Sequence, residues 1–278
     1  MKLKTLFLST FLLTLMISVS AQSINVATFN IRMPARTDTG NLWEDRAPIV
    51  ANLIRFHEFD AFGIQEGFKS QLDDMSAALP EYARYGKGRD DGKDGGEHSA
   101  IFYRKDRFKL LKSGDFWLSE NPGKPGLGWD ATCCNRICTW VYLRDQKTNK
   151  TFYMFNAHYD HQGVIARKES SKLILNQIKS IAGNEPVVLT GDFNGDRKSE
   201  WYLGIANSGI LADVHGKVRY PYENNGSMNG FRTPRSKAVI DHIFASAHFK
   251  AKKWGILTDT YFGKFPSDHF PVIAVLDL

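Results

Sequence analysis

The segment "LTGDFNGD", residues 189–196, places Asp192 and Asn194 two apart after an apolar run, a carboxylate and an amide leaving one strand end. The pattern recurs along the chain. Asn30 follows "ATF", Glu66 closes "GIQ" and His158 closes "MFNA"; Asp241 sits in "VIDHIF", and Asp268 and His269 lie in "FPSDHF". One such residue is ordinarily a cap or a turn former. Buried carboxylates are costly unless paired or bound to a cation, so this many at separate strand ends points to a charged ligand at one sheet edge. Carboxylates, amides and imidazoles are the groups that hold a hard cation, orient a water and move a proton.

These residues need strands to carry them. "INVATFNI" is nearly continuous in apolar character, as expected of a strand covered on both faces. From Trp43 to Phe56 the positions Ala47, Val50 and Ile54 fall at helical spacing, with Glu44 and Arg46 outward. "DAFGIQE" reads as a short buried strand, and residues 68–79 as a helix stopped by Pro80. Strands follow at "HSAIFYR" and "FKLLKSGDFWL"; "RICTWVYLRD" and "KTFYMFNAHYD" form a hairpin turned at Thr148–Asn149. Residues 163–181 carry Ile174, Ile178 and Ile181 at helical spacing, and "PVVLT", "AVIDHIFAS", "AKKWGILTD" and "FPVIAVLDL" are further strands. "YGKGRDDGKDGGE" predicts a mobile surface loop, and a second loop runs from Asn121 to about Trp129. Hairpins among the βα alternations exclude a purely parallel sheet. They predict an α/β fold of two mixed sheets packed face to face with helices outside.

The 278 residues, 42% hydrophobic, suffice for one large core, and no linker divides them. Lys2 and Lys4 precede an apolar run from Leu6 to Val19 and then "SVSA", which reads as a secretory signal peptide over 1–21, cut after Ala21. The expected folded domain is therefore 22–278, periplasmic or secreted. The run is short for a membrane span, so no stable insertion is expected. Loss of the two lysines takes the net charge from +6 to +4, spread along the chain. That permits an anionic substrate without the concentrated basic face of a nucleic-acid binder. Cys133, Cys134 and Cys138 lie in "CCNRIC", and export predicts a bond from Cys133 or Cys134 to Cys138. Zinc is disfavoured, because a fourth ligand and paired spacing are missing.

Taken in order, "TFNIR", "GIQE", "NAHYDHQG", "GDFN", "IDHIF" and "SDHFPV" resemble the endonuclease/exonuclease/phosphatase superfamily, over nearly the whole span from Asn30 to Pro271. "GDFWLSENP" and "GWDATCCNRICTW" are similar to an exported bacterial branch related to deadenylase-like proteins. The resemblance implies a four-layer αββα sandwich of the deoxyribonuclease I type and a Mg²⁺-dependent phosphoesterase, with Mn²⁺ as a substitute. It implies Glu66 as metal ligand, Asn30 assisting through its amide oxygen, and Asp268 completing or supporting the site. It makes Asp241 the buried partner of His269 and Asp192 the group that orients or activates water. Asn194 would donate to the phosphoryl oxygen, with His158 on the phosphate's other side as hydrogen-bond donor or general acid. Whether His269 or Asp192 takes the proton stays open at this point. Arg32 and Arg136 are candidate phosphate contacts, since a guanidinium fork matches phosphate oxygens, with surface salt bridges as the alternative. Glu97 and His98 are candidates to reach the site and pair with His158, with a plain loop end as the alternative. Asp160 and His161 read as local supports; "HYDH" lacks the preceding histidine of a metallo-β-lactamase-like zinc motif, which here is Asn156.

The superfamily includes nucleases, sphingomyelinases, inositol-phosphate phosphatases and deadenylases, so the site does not name a substrate. Residues 86–97 carry three basic against four acidic side chains, which weakens a DNA-groove reading. A secreted endonuclease on DNA or RNA remains the first alternative. Tyr261, Phe262 and Phe265 are a faint candidate for the apolar hairpin of a sphingomyelinase-like enzyme. A binding-only member would have lost a metal ligand or the histidine pair, and every such position is filled.

Overall fold

The computed structural model describes residues 23–278. The expected signal peptide, residues 1–21, lies outside them. Twelve strands form two six-stranded sheets. The first has the order β11 (Lys250–Ile256), β12 (Val272–Asp277), β1 (Ile24–Asn30), β2 (Ala61–Gln65), β4 (Ile101–Arg104), β3 (Tyr82–Tyr85). The second runs β5 (Phe108–Trp117), β6 (Ile137–Asp145), β7 (Thr151–His158), β8 (Val187–Asp192), β10 (Asp241–Ala245), β9 (Ala212–Asp213). Only β1–β2 and β7–β8 pair in parallel. Four helices complete the layers: α1 (Trp43–Phe56), α2 (Lys69–Ala78), α3 (Val164–Ala182) and α4 (Glu200–Ala206).

Strand alternation builds the layers. In β1, Val26 enters the core between the sheets, whereas Ala27 and Phe29 face the cluster that holds Val50, Ile54 and Leu72 of α1 and α2. In β7, Phe152 and Met154 join the inter-sheet core, and Tyr153, Phe155 and Ala157 pack with Ile174 and Ile178 of α3. Three hydrophobic clusters between four layers make the αββα sandwich. With both faces covered, these strands need no polar side, which is why they read as continuous apolar runs.

Two expectations are corrected. Arg46 does not point outward: it is fully buried, donating to the carbonyls of Ile31, Asn41 and Pro266 at 2.7–2.9 Å. It ties α1 to the loops after β1 and before β12. The disulfide joins Cys133 to Cys134, and Cys138 is a buried thiol facing the α3 side of β6. Burial also pushes that thiol well up from its ordinary range, so it is inert. In the Gly- and charge-rich loop after β3, Gly88 N–H donates to the Lys93 carbonyl and Arg89 N–H to that of Glu97. Among the described residues no helix is long and apolar enough to cross a membrane.

Candidate active site

The polar residues converge because the strands that carry them end together. Asn30 and His158 are the last residues of β1 and β7, Asp192 the last of β8, and Glu66 directly follows β2. The register sets His158 and Asp241 on either side of Asp192. Just past three of these ends the backbone turns through left-handed conformations, at Arg32 (φ 57°), Glu66 (φ 59°) and Asn194 (φ 46°). Such conformations are unfavourable for side chains other than glycine and persist where the surroundings impose them. At Asn194 the turn is closed by its own N–H donating to Asp192 Oδ1 at 2.9 Å.

The resulting cleft has a volume of about 330 Å³. Arg32, Glu66, Arg136, His158, Asp192, Asn194, Asp268 and His269 all line it. Asp192 is central: its Oδ2 lies 3.1 Å from Asn30 Nδ2, 3.6 Å from His158 Nε2 and 3.9 Å from His269 Nε2. Asp241, behind the ring, accepts from His269 Nδ1 at 2.9 Å and so turns Nε2 toward the cleft. Asn194 Nδ2 donates to the Tyr159 carbonyl at 3.0 Å and lies 3.3 Å from His158 Nε2. That contact makes Nε2 the acceptor and assigns the ring proton to Nδ1, which faces Glu97 Oε2 at 3.5 Å.

The two imidazoles differ in charge. Burial pulls His269 down, but Asp241, Asp192 and Asp268 outweigh it and hold the ring well above its ordinary value, which favours its protonated form. Burial, with the Arg136 guanidinium next in effect, pushes His158 down to about 3. Burial raises Asp192 and Asp268, helped at Asp192 by Asp241 and at Asp268 by Glu66.

Asn30 departs from expectation. Its amide oxygen accepts the Arg32 N–H at 3.0 Å, and its Nδ2 donates to Glu66 Oε1 at 2.9 Å as well as to Asp192. It orients two carboxylates, Glu66 and Asp192. His98 is likewise outside the cleft, buried with Nδ1 against the Gly67 carbonyl at 3.2 Å; its neighbour Glu97 makes the contact with His158. Arg32 is held by Asp38 and lies 3.8 Å from both Glu66 and Asp268. Arg89, Met33, Met228, Ile240, His161 and Cys134 also line the cleft without having been singled out as site residues. A larger hollow of about 680 Å³ lies at the other end of the second sheet and contains none of the candidate residues.

The donors fit a hard divalent cation. Glu66 and Asp268 offer carboxylate oxygens that already flank a positive group, Arg32. Asp241 Oδ1 is buried and lacks a hydrogen-bond partner.

This arrangement belongs to a known class. Residues 27–269 match the model of the Endonuclease/Exonuclease/phosphatase family, and the chain belongs to it. Members are metal-dependent phosphoester hydrolases, and this chain is one. Among solved structures, an endonuclease/exonuclease/phosphatase family protein from Bacteroides thetaiotaomicron is 45% identical, covering 92% of this chain and 99% of its own, with a TM-score of 0.90. A mannosyl-6-phosphatase from Bacteroides thetaiotaomicron VPI-5482 is 44% identical over 92% of this chain and 100% of its own, also at 0.90. The human Nocturnin catalytic domain, 20% identical over 92% and 93% with a TM-score of 0.73, shares the fold.

Proposed function

We propose that the mature chain is an exported, Mg²⁺-dependent phosphomonoesterase acting on a sugar phosphate of the hexose 6-phosphate kind. The observation that carries this reading is the 44% identity, over 92% of the chain, to a mannosyl-6-phosphatase. The cleft agrees with it: about 330 Å³ holds one ring and its phosphate. Export rests on the residue pattern of 1–21.

In this reading Glu66 and Asp268 hold the cation, and Asn30 and Arg32 position them. When bound, Mg²⁺ offsets the charge of the phosphate and polarises its P–O bonds. Asp192, between the two imidazoles, orients the attacking water and accepts its proton as the bond from phosphorus to the sugar oxygen breaks, that oxygen taking up a proton from solvent. His269, already protonated and backed by Asp241, donates a charged hydrogen bond to a phosphoryl oxygen. Asn194 holds His158 through Nε2, and Glu97 faces its Nδ1–H. The test is phosphate release from mannose 6-phosphate, p-nitrophenyl phosphate and bis-p-nitrophenyl phosphate, with Mg²⁺ and then with EDTA. EDTA-sensitive release from the two monoesters, with slower diester cleavage, is expected. Faster diester cleavage, with mannose 6-phosphate inert, would overturn it and bring the nuclease reading forward.

A further inference from the structure

The roles given above leave one side of the cleft, beside Cys134 and Arg136, unaccounted for. That side is built from the loop before β6. The Cys133–Cys134 bond closes a ring between neighbouring residues, so neither side chain can rotate away. Cys134 lines the cleft together with Arg136 and His161, and Met228 lines it too. The loop is fixed at several points. Asp130 accepts the N–H groups of Ile165 and Ala166 at 3.0 and 2.6 Å, capping α3, and Thr132 bonds Gln162. Arg136 Nη2 donates to His161 Nδ1 at 2.9 Å. Arg136 is only 5% exposed; its Nε lies 3.6 Å from Asp160 Oδ2, and its Nη1 has no hydrogen-bond partner. Buried donors of this kind are normally satisfied, so a ligand oxygen is the expected acceptor.

A rigid, polarisable apolar wall beside an unsatisfied donor matches a particular chemistry. A pyranose presents C–H groups on its face and hydroxyl oxygens around its rim. The face gains by leaving water against sulphur and carbon, and the rim needs donors. Resting on the sugar-phosphate reading above, we propose that the Cys133–Cys134 disulfide is the wall against which the sugar ring of the substrate packs, with Arg136 donating to ring hydroxyls. The cystine is thus a specificity element for the leaving group. Its oxidised state sets affinity for sugar esters and leaves the attack on phosphorus to the residues around Asp192.

The test compares mannose 6-phosphate with ethyl phosphate, which has no ring, in the metal-loaded enzyme. In Cys133→Ser/Cys134→Ser the ratio of kcat/KM for mannose 6-phosphate to that for ethyl phosphate should fall about tenfold, through KM, as loss of uniform binding requires. A phosphine reductant, itself oxidised as the disulfide becomes two thiols, should produce the same shift in the wild type, and reoxidation should reverse it. This second arm does not depend on the variant folding. An unchanged ratio in both arms, or an equal fall in kcat for both esters, would overturn the proposal; the latter would make the disulfide a staple for Arg136. If the wild type hydrolyses ethyl phosphate but no sugar phosphate, the sugar-phosphate reading fails and takes this one with it. Hydrolysis of mannose 6-phosphate with an unmoved ratio sinks this one alone.

Discussion

His158 and His269 flank one carboxylate and carry different charge, and the difference comes from what stands behind each ring. Behind His269 is Asp241 at 2.9 Å; beside His158 is the Arg136 guanidinium, with Arg89 contributing in the same sense. A charged ring can donate to a phosphoryl oxygen but cannot take a proton from water, which leaves that task to Asp192. His269→Gln keeps a donor of similar reach and loses the charge, so kcat should fall by ~10²-fold. Its pH profile should also change. Wild-type kcat should decline as pH rises through the high pKa of His269, and the variant should lack that alkaline decline. A wild-type rate that instead climbs through neutral pH and loses the climb in the variant would make His269 the base. Most of these residues were legible because each is a polar side chain placed where an apolar run stops. Arg89, Met228 and the Cys133–Cys134 wall were not, since they reach the cleft from irregular loops whose path no periodicity encodes. Asn30 was legible as a site residue, but the direction of its amide depends on the Arg32 N–H, which only the folded turn supplies.

Between the sheets, directly under the site, the core is not wholly apolar. Gln65 of β2 donates to Thr28 Oγ1 at 3.0 Å and to Asn156 Oδ1 at 2.6 Å, and Asn156 Nδ2 donates to the carbonyls of Ile64 and Ala100 at 2.9 and 3.1 Å. Thr190 of β8 also reaches Asn156 Oδ1, at 3.1 Å. This bridge links β1 and β2 to β7 and β8, the strands that end at Asn30, Glu66, His158 and Asp192, and fixes one sheet's register against the other's. Gly63 leaves room for it: a Cβ there would lie 2.2 Å from Asn156 Oδ1 and 2.6 Å from Thr190 Oγ1. Gly63→Ala must therefore displace the amide, and a destabilisation of ~1–3 kcal/mol is expected from overpacking alone. Urea unfolding measures it, and a variant as stable as wild type would show that the bridge shifts freely. At this scale the elements carried by apolar runs were legible, short β2 and β4 included. α1, α3 and the β6–β7 hairpin carry whole turns or several alternations, whereas β9, with two residues, is too short to show a period, and β3, "YARY", has no apolar run. Arg46 was read as outward because a helix wheel registers charge and not the four carbonyls waiting behind it.

Across the whole molecule, folding encloses histidines that must stay neutral. Burial pulls His98 and His242 below their ordinary value and His158 down to about 3. His242 Nε2 bonds the Gly195 carbonyl at 2.9 Å while its ring packs among Phe193, Tyr202 and Phe244, so a second ring proton would have no acceptor. In the unfolded chain each ring takes its proton near pH ~6.5. The folded pKa is the lower one, so the unfolded state binds protons first. The stability these rings contribute is complete above that pH and is lost as pH falls toward the folded value, by up to ~1.4 kcal/mol per pH unit for each. His269 acts in the opposite sense. Its folded pKa is raised, so its contribution is present below pH ~6.5 and lost as pH rises through the folded value. Asp192 and Asp268, raised by burial, share that sense and offset part of the acid slope. A difference measurement separates these effects. With EDTA present, the gap in unfolding free energy between wild type and His158→Gln should shift steadily in the variant's favour from pH 7 to pH 4, about one proton's worth of slope. A gap that stays constant across that range would mean that His158 takes up its proton inside the folded protein as readily as outside it. The neutral ring facing Glu97, and the proton assignment at Nδ1, would then have to be abandoned.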